Sequence, residues 1–135
     1  MKSVGKNVRC SDIVDRGYAG TEVLNFLSAL PSDVDRNRDI ITNPPYNLAQ
    51  EFVEKSLNLV ETGGKVAMFL RVLFLESQRR KFLFEQNPPK TVYVCSSRIS
   101  CAKNGDFEKY PSSVTAYAWY VWEKGFRGDT TLKWI

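Results

Sequence analysis

The residues Asn43-Pro44-Pro45-Tyr46 combine hydrogen-bonding groups and an aromatic ring directly after a strand-like stretch at residues 39–42. The two prolines fix φ at about −65° and have no N–H to donate, so a strand cannot continue past Asn43. Asn43 and Pro44 each precede a proline, which holds both in extended geometry. The sequence therefore predicts a rigid corner that presents one amide, adjacent carbonyls and one ring at the carboxyl end of a strand. In open α/β sheets, ligands bind at that edge.

The composition excludes several classes of chemistry. The 135 residues suffice for one domain with a substantial core, and a net charge of +4 permits a nucleic-acid partner without requiring one. The chain contains no histidine, which excludes histidine-based triads, histidine general bases and most zinc chemistry. The three cysteines, Cys10, Cys95 and Cys101, lack CxxC spacing, so neither a disulfide framework nor a metal site is expected. No signal-like or membrane-spanning apolar run is present, which favours the cytoplasm.

The hydrophobic pattern predicts a single α/β domain over residues 1–135, with no internal boundary. Helices are predicted at 47–62, with Asn47 as N-cap and Gly63-Gly64 as the stop, and at 73–84, with Phe74, Leu75, Phe82 and Leu83 facing inward. Residues 22–30 fit either a helix or a strand. A strand, a helix and a strand between residues 39 and 70 imply parallel pairing. The predicted strands are 8–12, 39–43, 65–70, 91–95, 114–122 and 131–135.

Asn43-Pro44-Pro45-Tyr46 resembles the amino-methyltransferase motif of S-adenosylmethionine-dependent enzymes, above all the N6-adenine DNA methyltransferases. The Asp-Ile-Ile-Thr before it, the helix after it and the strand at 65–70 stand where that family has them, and the last long strands look like its closing hairpin. The resemblance covers most of the chain from about Val8 onward. It implies a Rossmann-like class I methyltransferase sheet, mostly parallel with an antiparallel closing strand. A second Asn-Pro-Pro, at 87–89, precedes a strand and reads as a plain turn.

The resemblance also implies a mechanism, because an exocyclic amine such as adenine N6 is a poor nucleophile. In the family, the Asn43 oxygen and the Pro44 carbonyl would accept its N–H groups, Pro45 would keep the corner rigid, and Tyr46 would stack on a base taken out of the helix. The implied substrate is adenine N6 in DNA, with an RNA base or a glutamine amide as alternatives. The alternative from another class is a non-catalytic nucleic-acid-binding or assembly module with a degenerate methyltransferase fold.

The implied cofactor is S-adenosylmethionine. Asp12 looks like the family's acidic residue for the ribose hydroxyls, and Asn25 with Phe26 is similar to the segment that contacts the cofactor's adenine, although the family has an acidic residue there. The ordinary alternatives are a loop-capping Asp12 and a solvent-facing Asn25. The family's first strand and Gly-rich turn are not found in residues 1–11. The chain would then be N-terminally incomplete, a degenerate relative, or completed at an open sheet edge by a partner chain or second copy.

Basic side chains supply candidate phosphate contacts, of which Arg98 and Lys103, in a polar loop near the predicted site, are favoured as substrate-binding residues. Residues 79–81 fit a solvated helix face better. Aromatic residues alternate along the predicted strands, which favours packing over ligand binding. The full set of candidate cations is Arg71, Arg79, Arg80, Lys81, Arg98 and Lys103, and the alternating aromatic residues are Tyr93, Tyr117, Trp119, Tyr120 and Trp122.

Overall fold

The computed structural model describes residues 7–97, 99 and 115–135. Within those ranges, no helix has the length and apolar character needed to cross a membrane. The chain forms two compact units, Met1–Val34 and Asp35–Ile135. The sequence predicted no boundary inside residues 1–135, whereas the structure separates a unit before Asp35 from the larger one after it.

The first unit contains a parallel pair of strands, β1 (Cys10–Asp12) and β2 (Thr21–Val23). Short 3-10 helices follow at Phe26–Ser28 and Pro31–Asp33. The predicted strand at 8–12 is thus confirmed over its last three residues. The ambiguous segment 22–30 divides between the two alternatives, because a strand ends at Val23 and a short 3-10 helix begins at Phe26.

The second unit contains a five-stranded sheet in the order β3-β4-β6-β5-β7. Its strands are β3 (Ile40–Thr42), β4 (Lys65–Arg71), β5 (Thr91–Val94), β6 (Tyr117–Glu123) and β7 (Thr131–Trp134). β3 pairs with β4 and β5 with β7 in parallel, while β6 runs antiparallel to both of its neighbours. The predicted class, an α/β fold with a mostly parallel sheet and one antiparallel strand, is confirmed. Among the described residues, β3 forms one open edge of this sheet.

One face of the sheet forms the core together with two helices, α1 (Ala49–Leu59) and α2 (Gln78–Gln86). Met68 pairs with Tyr120, and Tyr120 pairs with Val92, so these side chains lie side by side across three strands. Each buried side chain of this kind stabilises the fold by about 1.5–3 kcal/mol. The buried core residues are Ala49, Val53, Leu57, Val60, Val66, Met68, Leu70, Phe74, Leu83, Val92, Ala118, Tyr120 and Trp122.

The predicted boundaries of α1 are wrong at both ends. After the prolines the chain first makes a 3-10 turn at Tyr46–Leu48, in which the Leu48 N–H donates to the Pro45 carbonyl (2.9 Å). The N-cap position of α1 is therefore Leu48 and not Asn47. The helix ends at Leu59 because Val60 turns to extended geometry (φ −73°, ψ 156°) and its side chain enters the core.

The second helix begins later than its predicted start at residue 73. Residues Val72–Leu75 form a 3-10 helix, and α2 starts after Ser77, whose side-chain oxygen accepts the Arg79 N–H (3.1 Å). Because the helix is interrupted here, the residues of α2 point in other directions than they would on one continuous helix from residue 73. As a result, the exposed fraction of Phe82, predicted to face inward, is 70%.

Two further residues near this break, Leu75 and Arg80, lie in environments that differ from the prediction. Phe74 is buried as predicted, but Leu75 is 42% exposed. Arg80, predicted on a solvated face, is half-buried, and its guanidinium lies 4.7 Å from the Phe74 ring centroid. It also donates to the carbonyls of Phe74 (2.8 Å), Leu73 (3.3 Å) and Glu76 (2.5 Å), so it holds the 3-10 segment against the helix.

Candidate functional site

The corner at residues 43–46 lies at the carboxyl end of β3. Asn43 and Pro45 are exposed, Pro44 is buried, and Tyr46 is half-buried. β4 runs parallel to β3, so its last residue, Arg71, lies at the same edge of the sheet. This is the edge at which ligands bind in open α/β sheets.

Contacts on both sides of the corner fix its position. At the start of β3, an Asp39 carboxylate oxygen accepts the Lys65 N–H (2.8 Å), which ties the beginning of β3 to that of β4. Ile40 and Tyr46 pack against the core, before and after the prolines. Because the intervening prolines restrict φ, the exposed Asn43 is held on a short and rigid segment.

The Tyr46 ring is the first of a series of aromatic rings in contact, the others of which lie on β4 and β6. The Tyr46 and Tyr117 ring centroids are 6.0 Å apart with the planes tilted by 41°. Tyr117 in turn stacks on Phe69 at 5.2 Å, and Phe69 contacts Trp119 at 5.2 Å. Such pairs add about 0.5–1.5 kcal/mol each beyond their buried area. The Tyr46 ring is therefore positioned by the sheet as well as by the prolines.

A cavity of about 180 Å³ opens beside the corner. The guanidinium carbon of the exposed Arg71 lies 4.8 Å from the centroid of the Tyr46 ring, and both residues line this cavity. The remaining lining residues are Ala49, Leu70, Leu73, Phe74 and Arg80. The corner thus borders a partly apolar space with two guanidinium groups in its wall.

Tyr120 supports the end of β4 from within the core. Its hydroxyl lies within hydrogen-bond distance of the carbonyls of Arg71 (3.1 Å) and Val72 (3.2 Å), to which it donates. The ring stacks on Trp122 at 5.7 Å, with 18° between the planes. The backbone that carries Arg71 is therefore anchored to the core, while the exposed Arg71 side chain lies over the Tyr46 ring.

Replacing Tyr120 with phenylalanine is expected to change how stability depends on pH. Burial raises the pKa of Tyr120, and the Arg80 charge opposes this rise only in part. The folded state therefore keeps this proton when the unfolded chain loses it near pH 10. The contribution of the protonated Tyr120 hydroxyl to the free energy of unfolding is complete below about pH 10. Above that pH the contribution decreases by up to about 1.4 kcal/mol per pH unit.

Urea unfolding of both proteins between about pH 8 and 11 measures this effect. At neutral pH the variant should be less stable by about 1–2 kcal/mol, because the hydroxyl no longer bonds the two carbonyls. Above about pH 10 the difference between the two proteins should shrink. A constant difference over the whole range would contradict the prediction.

The candidate cofactor residues lie in the first unit. Asp12 ends β1; its carboxylate accepts the Val14 N–H (3.1 Å) and an Arg16 N–H (3.1 Å), and these contacts lower the pKa of Asp12. Asn25 caps the short 3-10 helix by accepting the Leu27 N–H (3.2 Å), and Phe26 begins that helix. The capping contact expected as the ordinary alternative for Asp12 is therefore present, and Asn25 is exposed, as its ordinary alternative predicts. Their role toward a cofactor stays a prediction.

The structure places the two candidate cofactor segments next to each other. The Leu24 N–H donates to the Asp12 carbonyl (2.8 Å), so Asn25 follows a residue bonded to the end of β1. Asp12 belongs to the first unit and Asn43 to the second.

The other candidate cations divide into three groups. Arg98 and Lys103 lie outside the described residues, and their substrate contacts remain predictions. Arg79 and Lys81 are exposed on α2, and Lys81 forms an ion pair with Glu85 (3.6 Å), as expected for a solvated helix face. Arg80 differs, because it holds the segment before α2.

The second Asn-Pro-Pro has a structural role, in agreement with its position before β5. Asn87 ends α2, and its carbonyl accepts the indole N–H of Trp122 (3.1 Å). Pro89 is buried, and its carbonyl accepts the Thr130 hydroxyl (2.7 Å). The same tripeptide thus packs into the fold at one place and ends a strand at the open sheet edge at the other.

The contact between Arg71 and Tyr46 was not predicted from the sequence. A signal for it was present, because Arg71 directly follows the buried run of β4 and parallel pairing brings the ends of β3 and β4 to one edge. For Tyr117 the sequence favours packing over ligand binding. It is buried as expected, and its ring also contacts Tyr46.

Comparison with known proteins gives little further identification. No protein-family model matches the chain, and no curated protein matches it. Among solved structures, 11 chains match. One is the crystal structure of the M1.HpyAVI–SAM complex, 16% identical, with 71% of this chain and 55% of that chain covered and a TM-score of 0.32. The chain thus spans about half of that protein's length.

Proposed function

We propose that this chain takes part in S-adenosylmethionine-dependent methylation of an exocyclic amine, N6 of adenine in DNA. The corner at the carboxyl end of β3 is the observation that carries this proposal. It combines an exposed Asn43, a buried Pro44 and the ring of Tyr46 beside a cavity. These groups match what activation of a flat, amine-bearing substrate requires.

The chemistry needs acceptors in place before the reaction begins. The amine has two N–H groups, and accepting both, at the Asn43 oxygen and the Pro44 carbonyl, favours the pyramidal form in which the nitrogen lone pair can attack. Because the prolines keep these acceptors rigid, little reorganisation accompanies the attack. Tyr46 holds the base by stacking, which contributes about 1–3 kcal/mol for a base on an aromatic side chain.

The donor and acceptor chemistry of the first unit suits S-adenosylmethionine. The Asp12 carboxylate accepts the Val14 N–H and an Arg16 N–H, and its two oxygens together can accept more hydrogen bonds than these, including those of ribose hydroxyl groups. Asn25 keeps a second lone pair on an oxygen that caps the 3-10 helix, and Phe26 adds apolar surface. When bound, the cofactor supplies an electrophilic methyl group on a sulfonium centre. Asp12, Asn25 and Phe26 are the residues that would hold it.

Transfer of a labelled methyl group to DNA tests this function directly. The full chain is incubated with labelled S-adenosylmethionine and DNA, and the digested nucleosides are analysed by mass spectrometry for N6-methyladenine. Parallel reactions contain an RNA oligonucleotide or a glutamine-containing peptide. Methylation of adenine in DNA alone supports the proposal, whereas label only in RNA or in peptide would assign the site to another amine.

A second function, nucleic-acid binding or assembly without catalysis, is favoured by the positions of the glycines. Gly17 and Gly20 lie between β1 and β2, Gly63 between α1 and β4, and Gly125 between β6 and β7. Within the described ranges, none of these positive-φ glycines joins a strand to the start of an α-helix, which is the usual cradle for a cofactor of this kind. DNA binding without calorimetrically detectable cofactor binding would favour this second function.

A further inference from the structure

We propose that Arg71 is a phosphate-binding residue whose guanidinium exchanges places with a nucleobase on the ring of Tyr46. In the structure its guanidinium lies over the ring. When a nucleobase takes that place, the displaced guanidinium pairs with a phosphate of the same strand. This inference rests on the proposed function, because it requires that a base stacks on Tyr46.

The first observation is the position of the guanidinium. It lies 4.8 Å from the centroid of the Tyr46 ring, at the carboxyl edge of the sheet and in the wall of the cavity. A guanidinium and a base are both flat groups that stack on aromatic faces, so they compete for this ring surface. A base can therefore use this face of Tyr46 only after Arg71 has moved.

The second observation is that, among the residues that the structure describes, only the Tyr46 ring holds the Arg71 guanidinium in place. Toward this part of the chain the guanidinium makes no hydrogen bond or ion pair. Arg80, in the same cavity wall, donates to three backbone carbonyls and also stacks on Phe74. Of these two arginines, Arg71 is free to move and Arg80 is fixed.

The size of the cavity agrees with an exchange. Its volume of about 180 Å³ is below the roughly 300–1,000 Å³ of typical small-molecule sites. Because the Arg71 side chain forms part of the wall, its movement off the ring enlarges the space in front of Tyr46. The backbone of Arg71 need not move, since Tyr120 anchors its carbonyl.

The exchange is favourable in both of its parts. An exposed cation–π contact favours the stacked position of a guanidinium by roughly a factor of 2 to 5. Stacking of a base on an aromatic side chain increases binding affinity by more, roughly 5- to 150-fold. The released guanidinium then gains a charge-assisted, bidentate contact with phosphate. The site should therefore prefer a nucleotide strand over a free nucleoside, and Arg71 should account for that preference.

Binding measurements with two ligands, 2′-deoxyadenosine and a short single-stranded oligodeoxynucleotide with one adenine, test this exchange. For Arg71→Ala, affinity for the oligonucleotide should fall about 10-fold, and the slope of log K against log salt should decrease by about 0.7. Affinity for 2′-deoxyadenosine should instead rise roughly 2- to 5-fold, because the competing guanidinium is gone. A purely supporting role for Arg71 would lower both affinities.

Two variants serve as controls. Arg71→Lys keeps the charge and should retain the salt slope. Lys133→Ala removes a cation 5.9 Å from the Tyr93 ring, on the strand at the opposite edge of the sheet, and should change neither affinity.

The inference is overturned if Arg71→Ala lowers both affinities or leaves the oligonucleotide affinity unchanged. Failure of the proposed function looks different. In that case Tyr46→Ala leaves both affinities unchanged, or the wild-type chain binds neither ligand. If Tyr46→Ala weakens both ligands and Arg71→Ala affects neither, the proposed function stands and only the exchange is wrong.

Discussion

Replacing Asn43 with alanine is expected to lower the rate of methyl transfer by about 10²- to 10³-fold, the usual loss when one preorganised polar group of an active site is removed. The variant keeps the Pro44 carbonyl as one acceptor but loses the other, so the amine is no longer held in its pyramidal form. Because Asn43 is exposed, its truncation creates no core cavity. Stability should therefore stay within about 0.5 kcal/mol of the wild-type value.

The chain supplies its own matched control for this experiment. Asn87→Ala changes the asparagine of the second Asn-Pro-Pro, whose backbone carbonyl, rather than its side chain, bonds Trp122. Initial rates are measured with labelled cofactor for both variants. The Asn87 variant should keep the wild-type rate, and an Asn43 variant with an undiminished rate would contradict the assignment of the corner as the amine site.

Replacing Trp122 with alanine is expected to destabilise the second unit by about 3–5 kcal/mol, a large part of the roughly 5–15 kcal/mol that stabilises a typical domain. Trp122 is fully buried and stacks on Tyr120. Its indole N–H also satisfies the Asn87 carbonyl at the end of α2. The variant loses buried area, leaves a cavity and removes that hydrogen bond.

Urea unfolding followed by far-UV circular dichroism measures this loss. Trp134→Ala is the matched control, because Trp134 lies on β7 with 67% of its surface exposed. Its truncation should change the free energy of unfolding by less than about 1 kcal/mol. Equal losses in the free energy of unfolding for the two variants would contradict the assignment of Trp122 to the core.

The strands were predicted well because their sequence signals are local. Lys65–Arg71 is a nearly continuous apolar run, and Tyr117–Glu123 is rich in aromatic residues, so each strand is indicated by its own residues. Helix boundaries were predicted less well. The start of α1 depends on how the chain leaves Pro45, and the start of α2 depends on the Ser77 cap. Hydrophobic periodicity alone does not indicate the backbone conformation after Pro45 or at Ser77.

The candidate site shows the same division. The corner at residues 43–46 was predicted because prolines restrict φ regardless of tertiary context. The contact between Arg71 and Tyr46 depends on which strands are neighbours and on where a long side chain turns after its strand ends. Arg80 is predicted on a solvated face because periodicity alone does not indicate that the helix begins only after Ser77.

The position of β6 between β4 and β5 has a consequence for how the protein is made. Both hydrogen-bonding neighbours of β5, β6 and β7, follow it in the chain, so a ribosome that has released residues only through Val94 has produced a strand with no partner. Pairings this distant in sequence are slow to form, because loop-closure entropy is lost before the contacts are gained. Three of the five strands, β5, β6 and β7, therefore join the sheet only after Tyr117–Glu123 has emerged. A message that stops before Tyr117 leaves β5 exposed to aggregation.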